Sequence, residues 1–179
     1  MLRKCSMVSA GSSDARSTRT PPAAPAWRAR TEAIQIARKG EKKMAAKILL
    51  VLTPPRRARL LPLLDGQTLE IEWVVGFQDA VRKLSEGGPY DLLLVDAELP
   101  DGSWRNLMLF VQNSGMISEM IICSARPDQG LWADVIQCGA YDLITEPYAD
   151  QEVHRIIENA LESHYMRRFI QSTAARKTQ

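Results

Sequence analysis

A carboxylate at the end of an apolar run is the residue in this chain best placed to do chemistry. Asp96 directly follows Leu92–Val95, and residues 99–102 (Leu-Pro-Asp-Gly) close the segment as a turn. A continuous apolar run between turn signals predicts a strand buried on both faces, as in a parallel sheet. Open α/β sheets bind ligands at the carboxyl ends of such strands. We therefore expect Asp96 to lie in the functional cleft of the domain.

From Lys47 onward, the segments around Asp96 alternate between strand and helix patterns. The strands are predicted at Ile48–Leu52, Leu69–Val75, Leu92–Asp96, Met120–Cys123 and Asp142–Thr145. The helices are predicted at Pro54–Leu64 (with an early break at Pro62), Phe77–Glu86, Trp104–Gln112, Asp128–Gln137 and from Ala149 onward. This alternation predicts an α/β fold, a doubly wound, flavodoxin-like parallel sheet of five strands in the order 2-1-3-4-5, flanked by five helices. That order places Leu52 and Thr53 beside Asp96.

Side-chain patterns add expectations about packing. The alternation in the second strand predicts that Trp73 faces inward, and helical spacing favours Trp132 as a core residue. Gly139 is expected to end the fourth helix in a left-handed cap. The only two histidines of the chain, His154 and His164, are expected to be solvated or partly packed positions on the last helix.

Charge divides the chain into two parts. Residues 1–43 carry ten Lys/Arg and three Asp/Glu, a net +7, whereas residues 44–179 are net −5. We predict a disordered basic extension over 1–43, with Met44 favoured as the natural start, a folded domain over 46–163, and a helical extension and tail over 164–179. The acidic folded part argues against nucleic-acid binding.

Other compositional features narrow the class of protein. Three cysteines without a Cys-x-x-Cys spacing argue against a disulfide framework or a zinc site and favour a cytoplasmic protein. No apolar run approaches the roughly 18 residues that cross a bilayer, so no membrane association is expected.

The pattern over residues 47–160 resembles the receiver domain of bacterial response regulators, which act in two-component phosphorelay signal transduction. Three motifs carry the likeness: Asp91–Asp96 with the turn at 99–102, Ile122–Arg126, and Gly139–Tyr148. The resemblance implies that Asp96 matches the aspartate that accepts a phosphoryl group from a histidine kinase. It also implies that Ser124 matches the switch hydroxyl, and it suggests a cis bond between Glu146 and Pro147.

The chain departs from the family pattern at the other positions of the site. Leu52 and Thr53 stand where the family has the acidic pair that holds Mg²⁺, and Glu146 stands where it has a lysine. Leu143 replaces the switch aromatic residue. No catalytic residue and no metal ligand is assigned; Asp96 and Glu98 are weak metal candidates, and Asp101 is a further carboxylate close by.

These departures predict a site that holds a phosphoryl group poorly, because no cation is expected near Asp96. A carboxylate at Glu146 about 4 Å from a phosphoryl group would cost on the order of 4 kcal/mol at an effective dielectric constant near 20. That cost corresponds to about three powers of ten in an equilibrium constant. Weak or absent phosphorylation follows.

We therefore interpret the chain as a single-domain, degenerate receiver (a pseudo-receiver) that acts through protein–protein contacts and is not an enzyme. One alternative is a functional receiver phosphorylated on Asp96, the only case in which a Mg²⁺ cofactor is expected. Another is a small flavodoxin-like enzyme or ligand-binding domain. The expected partners are a histidine kinase or a downstream target. A homodimer formed through the last helix is a further option, because the apolar spacing of this helix continues to Tyr165, Phe169 and Ile170.

Overall fold

The computed structural model describes residues 45–65, 68–126 and 128–177. The predicted basic extension over 1–43 lies outside the described residues, as does the end of the predicted tail. Within the described ranges, no helix combines the length and the apolar character needed to cross a membrane.

Five strands and five helices alternate along the described chain. The strands are β1 (Ala46–Val51), β2 (Leu69–Val74), β3 (Leu92–Asp96), β4 (Glu119–Ser124) and β5 (Asp142–Thr145). The helices are α1 (Pro54–Leu60), α2 (Phe77–Glu86), α3 (Trp104–Asn113), α4 (Gln129–Gln137) and α5 (Asp150–Lys177). After α1, a 3-10 turn covers Leu61–Leu64 with Pro62 in its first positions. The early end of α1 confirms the predicted effect of Pro62, which has no N–H to donate to the helix.

The five strands form one parallel sheet in the order β2-β1-β3-β4-β5. This confirms the predicted doubly wound topology. The central strand β3 is buried along its whole length, because helices cover both faces of the sheet. One apolar cluster joins the sheet to α2, α3 and α4, and a second joins its other face to α1, the 3-10 turn and α5.

Two tryptophans predicted to face the core are exposed instead. Trp132 is 53% exposed, because Leu131 and Val135 form the inward stripe of α4 and Trp132 lies with Ile136 on the neighbouring outward stripe. Trp73 lies on the edge strand β2, where the guanidinium carbon of Arg57 sits 3.6 Å above the centre of its ring. Both predictions of burial were wrong.

One helix end matches its sequence signal, and one predicted boundary does not coincide with the end of an element. Gly139 has a φ of 89°, which confirms the predicted left-handed cap after α4. The helix α5 runs without a break through the predicted boundary at residue 163, so that boundary falls inside one continuous element.

Replacing the buried Leu50 by alanine is expected to lower the free energy of unfolding by about 2–5 kcal/mol, because the removed atoms leave a cavity in the sheet. The matched control is Leu109→Ala, which alters an exposed leucine of α3 and is expected to change stability by less than about 0.5 kcal/mol. Urea unfolding measures both variants. Equal losses in the two variants would contradict the assigned core.

Candidate functional site

The candidate site lies at the carboxyl edge of the sheet, where β1 and β3 are neighbours. Asp96 is the last residue of β3, Ser124 the last residue of β4, and Glu146 directly follows β5. Thr53 follows β1 by two residues and forms the N-cap of α1. The topology thus brings together four sequence-predicted residues from four different strand ends.

Asp96 is enclosed, with only 1% of its surface exposed, and hydrogen bonds take up both of its carboxylate oxygens. The Thr53 hydroxyl donates to Oδ2 at 3.1 Å, and the backbone N–H of Glu98 donates to Oδ1 at 3.0 Å. Because the Thr53 hydroxyl is directed to Asp96, it makes no capping hydrogen bond to the start of α1. Thr53 therefore serves the carboxylate rather than its own helix.

Arg56 is the residue of the site that the sequence argument missed. It lies in the first turn of α1 with 7% of its surface exposed, and its Nε is 3.3 Å from Asp96 Oδ2 and 3.5 Å from Glu146 Oε1. Its Nη1 donates to the carbonyl oxygen of Cys123 at 2.6 Å. One guanidinium thus joins α1 to the ends of β3, β4 and β5.

The expectation that the site lacks a cation was therefore wrong. The sequence shows Arg56, Arg57 and Arg59 close together, and nothing in their local composition separates the buried one from the other two. A usable signal was the spacing of Arg56 and Leu60, which are four residues apart and so share one helix face. Leu60 is fully buried, so the residue one turn before it also points at the sheet.

Glu146 balances the charge of two arginines. Its Oε1 lies 3.0 Å from Arg59 Nη2 and 3.4 Å from the hydroxyl of Tyr148, besides its contact with Arg56. The peptide bond between Glu146 and Pro147 is cis, as predicted. Two arginines and the two carboxylates of Asp96 and Glu146 leave this cluster formally neutral.

The side chains at the remaining predicted positions make their described contacts within the fold and not with Asp96. The hydroxyl of Ser124 donates to the carbonyl of Arg126 and accepts from its N–H, both at 3.2 Å, so it closes its own loop. Leu52 is fully buried in the apolar cluster beneath α1 and α5. Leu143 packs, partly buried, against the cluster on the opposite face.

The two nearby carboxylates do not gather around Asp96. Glu98 is exposed and contributes its backbone N–H, and the carboxylate of Asp101 accepts from the backbone N–H groups of Gln78 and Phe77 at the start of α2. These hydrogen bonds hold the pKa of Asp101 below its usual value. Asp101 therefore stabilises the fold above its unfolded-state pKa, and this contribution disappears as the pH falls through the lowered value.

The Mg²⁺ ion that the family resemblance implies does not fit these residues. Mg²⁺ requires oxygen ligands in octahedral geometry, usually carboxylates and water. Here Leu52 offers no ligand atom, and the positive charge of Arg56 lies against Asp96. Among the residues that the structure describes, no group of three or more His, Cys, Asp or Glu side chains could hold a metal.

Two further groups border the cluster. Complete burial raises the pKa of the Cys123 thiol to about 12, and burial also raises the pKa of the Tyr148 phenol. Both groups are therefore neutral at physiological pH.

The Cys123 thiol is expected to resist alkylation in the folded protein. With a pKa of about 12, roughly one thiol in ten thousand is ionised at pH 8, and the side chain is enclosed. Timed treatment with iodoacetamide and peptide mapping measures this, with the partly exposed Cys138 as the internal control. Similar rates at Cys123 and Cys138 in the native state would contradict the enclosure; similar rates in urea are expected.

Arg56→Gln is expected to lower the free energy of unfolding by about 3–5 kcal/mol, because it leaves the buried carboxylate of Asp96 without its cation. Arg59→Gln removes the other partner of Glu146 but changes an exposed side chain, and a loss of about 0–1 kcal/mol is expected. Chemical unfolding compares the two variants.

A variant that lacks both carboxylates separates the effect of charge from the effect of packing in this test. The loss caused by replacing Arg56 should shrink when Asp96→Asn and Glu146→Gln are already present, since no buried carboxylate then remains unpaired. Equal losses in both backgrounds would show that Arg56 acts through its packing alone.

Comparisons with known proteins connect this chain to a family. The chain is 35% identical over 81 residues to the swarming motility regulation protein RssB of Serratia marcescens, covering 45% of this chain and 36% of RssB. It is 30% identical over 82 residues to the chemotaxis protein CheY of Bacillus subtilis, covering 46% of this chain and 68% of CheY. The response regulator protein PilR of Pseudomonas aeruginosa is 27% identical over 116 residues, which span 64% of this chain and 26% of PilR. No protein-family model matches the chain.

Solved structures give the same picture at the level of the fold. The signal receiver domain of an HD domain-containing protein from Pseudomonas fluorescens superposes with a TM-score of 0.61 at 22% identity, covering 69% of this chain and 99% of that domain. The beryllofluoride-activated NtrC4 receiver domain superposes with a TM-score of 0.61 at 19% identity, covering 66% of this chain and 98% of that domain. Together with the identity to CheY, the sheet order and Asp96 at the end of its central strand, these likenesses lead to one conclusion: the chain belongs to the receiver-domain family of response regulators.

Proposed function

We propose that this chain acts in two-component signal transduction as a receiver that works through protein–protein contacts without phosphorylation of Asp96. The observation that carries this proposal is the position of Arg56. Its guanidinium contacts the carboxylate that would have to attack a phosphoryl donor, and it is itself fixed by Glu146 and by the carbonyl of Cys123.

The carboxylate of Asp96, which would be the nucleophile, is already engaged by other groups. Asp96 Oδ2 accepts from Thr53 and contacts Arg56, while Oδ1 accepts from Glu98, so attack on a donor requires breaking contacts that stabilise the buried carboxylate. Charge-assisted hydrogen bonds of this kind are about twice as strong as neutral ones. They also withdraw electron density from the attacking oxygen.

The surroundings of Asp96 also offer little assistance to phosphoryl transfer. Phosphoryl transfer relies on positioning and on neutralisation of charge, which Mg²⁺ ions commonly supply. The residues at the end of β1 do not form a Mg²⁺ site, and Glu146 places a negative charge where the family has a lysine. Arg56 supplies one positive charge, but two carboxylates already share it.

The names of the relatives support a signalling role. CheY is a chemotaxis protein, RssB regulates swarming motility, and PilR is a response regulator. The chain spans about a third of RssB and a quarter of PilR, so the activities of those whole proteins are not carried over. The proposed partners are a histidine kinase or a downstream protein in the cytoplasm. A non-enzymatic role and a homodimer through α5 remain predictions.

The wild-type chain is expected to gain no phosphoryl group from acetyl phosphate and Mg²⁺, because Arg56 holds Asp96 and the residues described around Asp96 do not fit a Mg²⁺ ion. Intact-mass spectrometry of the acid-quenched reaction measures the gain. A receiver that has both the acidic pair and the lysine serves as the positive control. A mass gain in the wild type that disappears in Asp96→Asn would overturn the proposal in favour of the phosphoacceptor alternative.

A triple variant tests whether the named positions cause the block. Thr53→Asp, Arg56→Gln and Glu146→Lys together add a carboxylate beside Asp96, remove the competing cation and supply a lysine. The folded variant, verified by circular dichroism, is expected to gain a phosphoryl group in the presence of Mg²⁺. A folded triple variant that stays unmodified would contradict the assignment of the block to these residues.

A further inference from the structure

A second charged cluster lies at the opposite, amino-terminal edge of the sheet, far from the site of the proposed function. Asp91 immediately precedes β3, and its Oδ2 accepts from the backbone N–H of Lys47 at 2.8 Å. Its Oδ1 lies 2.9 Å from His164 Nε2 and 3.8 Å from Arg168 Nη1, and both of these residues belong to α5. His164 is 1% exposed, so the expectation of a solvated or partly packed histidine was wrong.

Glu119 is the second carboxylate of this edge. It is the first residue of β4 and is 2% exposed. Its Oε1 accepts from the Ser163 hydroxyl at 2.8 Å and lies 3.1 Å from Arg167 Nε. The described contacts of this buried carboxylate therefore come from the same turn of α5 that meets Asp91. Burying a carboxylate is unfavourable unless it is paired, so this turn and this edge depend on each other.

Helix length explains why the contacts occur there. At about 1.5 Å per residue, the stretch from Asp150 to His164 measures roughly 20 Å, which is about the length of a strand of five or six residues. Apolar burial on α5 runs from Val153 to Ala160, with Leu161 partly buried against the same cluster, and the polar and charged contacts of residues 163–168 follow. Beyond them, Phe169 and Ile170 are exposed.

We propose that residues 163–168 form an ion-pair latch that holds the end of α5 against Asp91 and Glu119 at the sheet edge. This latch goes beyond the proposed function, because it lies at the other edge of the sheet and requires nothing of Asp96. It is a conformational device that fixes the direction in which Phe169 and Ile170 leave the domain.

Charged groups of both signs meet at this edge of the sheet. Asp91 and Glu119 are the carboxylates at this edge, Arg167 and Arg168 are the cations of α5 that pair with them, and β1 contributes a backbone N–H from Lys47. The imidazole and the backbone N–H hold the pKa of Asp91 below its usual value despite its burial, so Asp91 is ionised near neutral pH. The ionised carboxylate therefore attracts the cations that α5 brings to this edge.

Hydrogen–deuterium exchange of the full chain tests the latch, with residues 153–160 of the same helix as the internal reference. Asp91→Asn, Glu119→Gln and His164→Gln are each expected to raise exchange in 163–174 about tenfold or more, which corresponds to about 1.4 kcal/mol. They should leave 153–160 unchanged. Glu158→Gln, which neutralises an exposed carboxylate of α5, is the matched control and should change neither segment.

Two readings of this experiment would overturn the proposal. Unchanged exchange in 163–174 would show that the contacts do not hold the helix end, and a rise that extends equally through 153–160 would show a global rather than a local effect.

Discussion

The carboxyl edge of this receiver depends on one buried cation. Arg56 lies between Asp96 and Glu146 and also binds the carbonyl of Cys123, so it joins the ends of three strands to α1. An enclosed carboxylate without such a partner would be strongly unfavourable. Arg56 therefore supplies the positive charge beside the buried carboxylate, where neither a lysine nor a fitting Mg²⁺ site supplies it.

An internal cation differs physically from a bound metal ion or a transferred phosphoryl group. Mg²⁺ and phosphate come and go, so a site that uses them can have two states. A guanidinium attached to α1 stays at a high effective concentration; here its Nη1 donates to the Cys123 carbonyl while its Nε lies within 3.5 Å of both carboxylates. This permanence distinguishes the edge around Arg56 from a site whose charge changes when a metal ion or a phosphoryl group binds.

Much of the fold was predictable because it rests on patterns within each segment. The bounds of α2, β3 and β5 were predicted as observed, since apolar periodicity and Gly or Pro signals mark them directly. The packing of Trp73 and Trp132 was not, because both sit where a helix or an edge strand has an outward stripe next to its inward one. Which of the two faces is covered depends on the neighbouring helices and strands, and the local sequence pattern does not identify these.

The amino-acid sequence by itself determined the alternating elements, the sheet order they imply and the presence of Asp96, Ser124 and Glu146 at strand ends. Only the tertiary structure decided which of three neighbouring arginines enters the site and that His164 meets Asp91 at the opposite edge. The physical reason is sequence distance. Strand and helix periodicity is set by residues a few positions apart, whereas ion pairs between elements are set by how those elements pack.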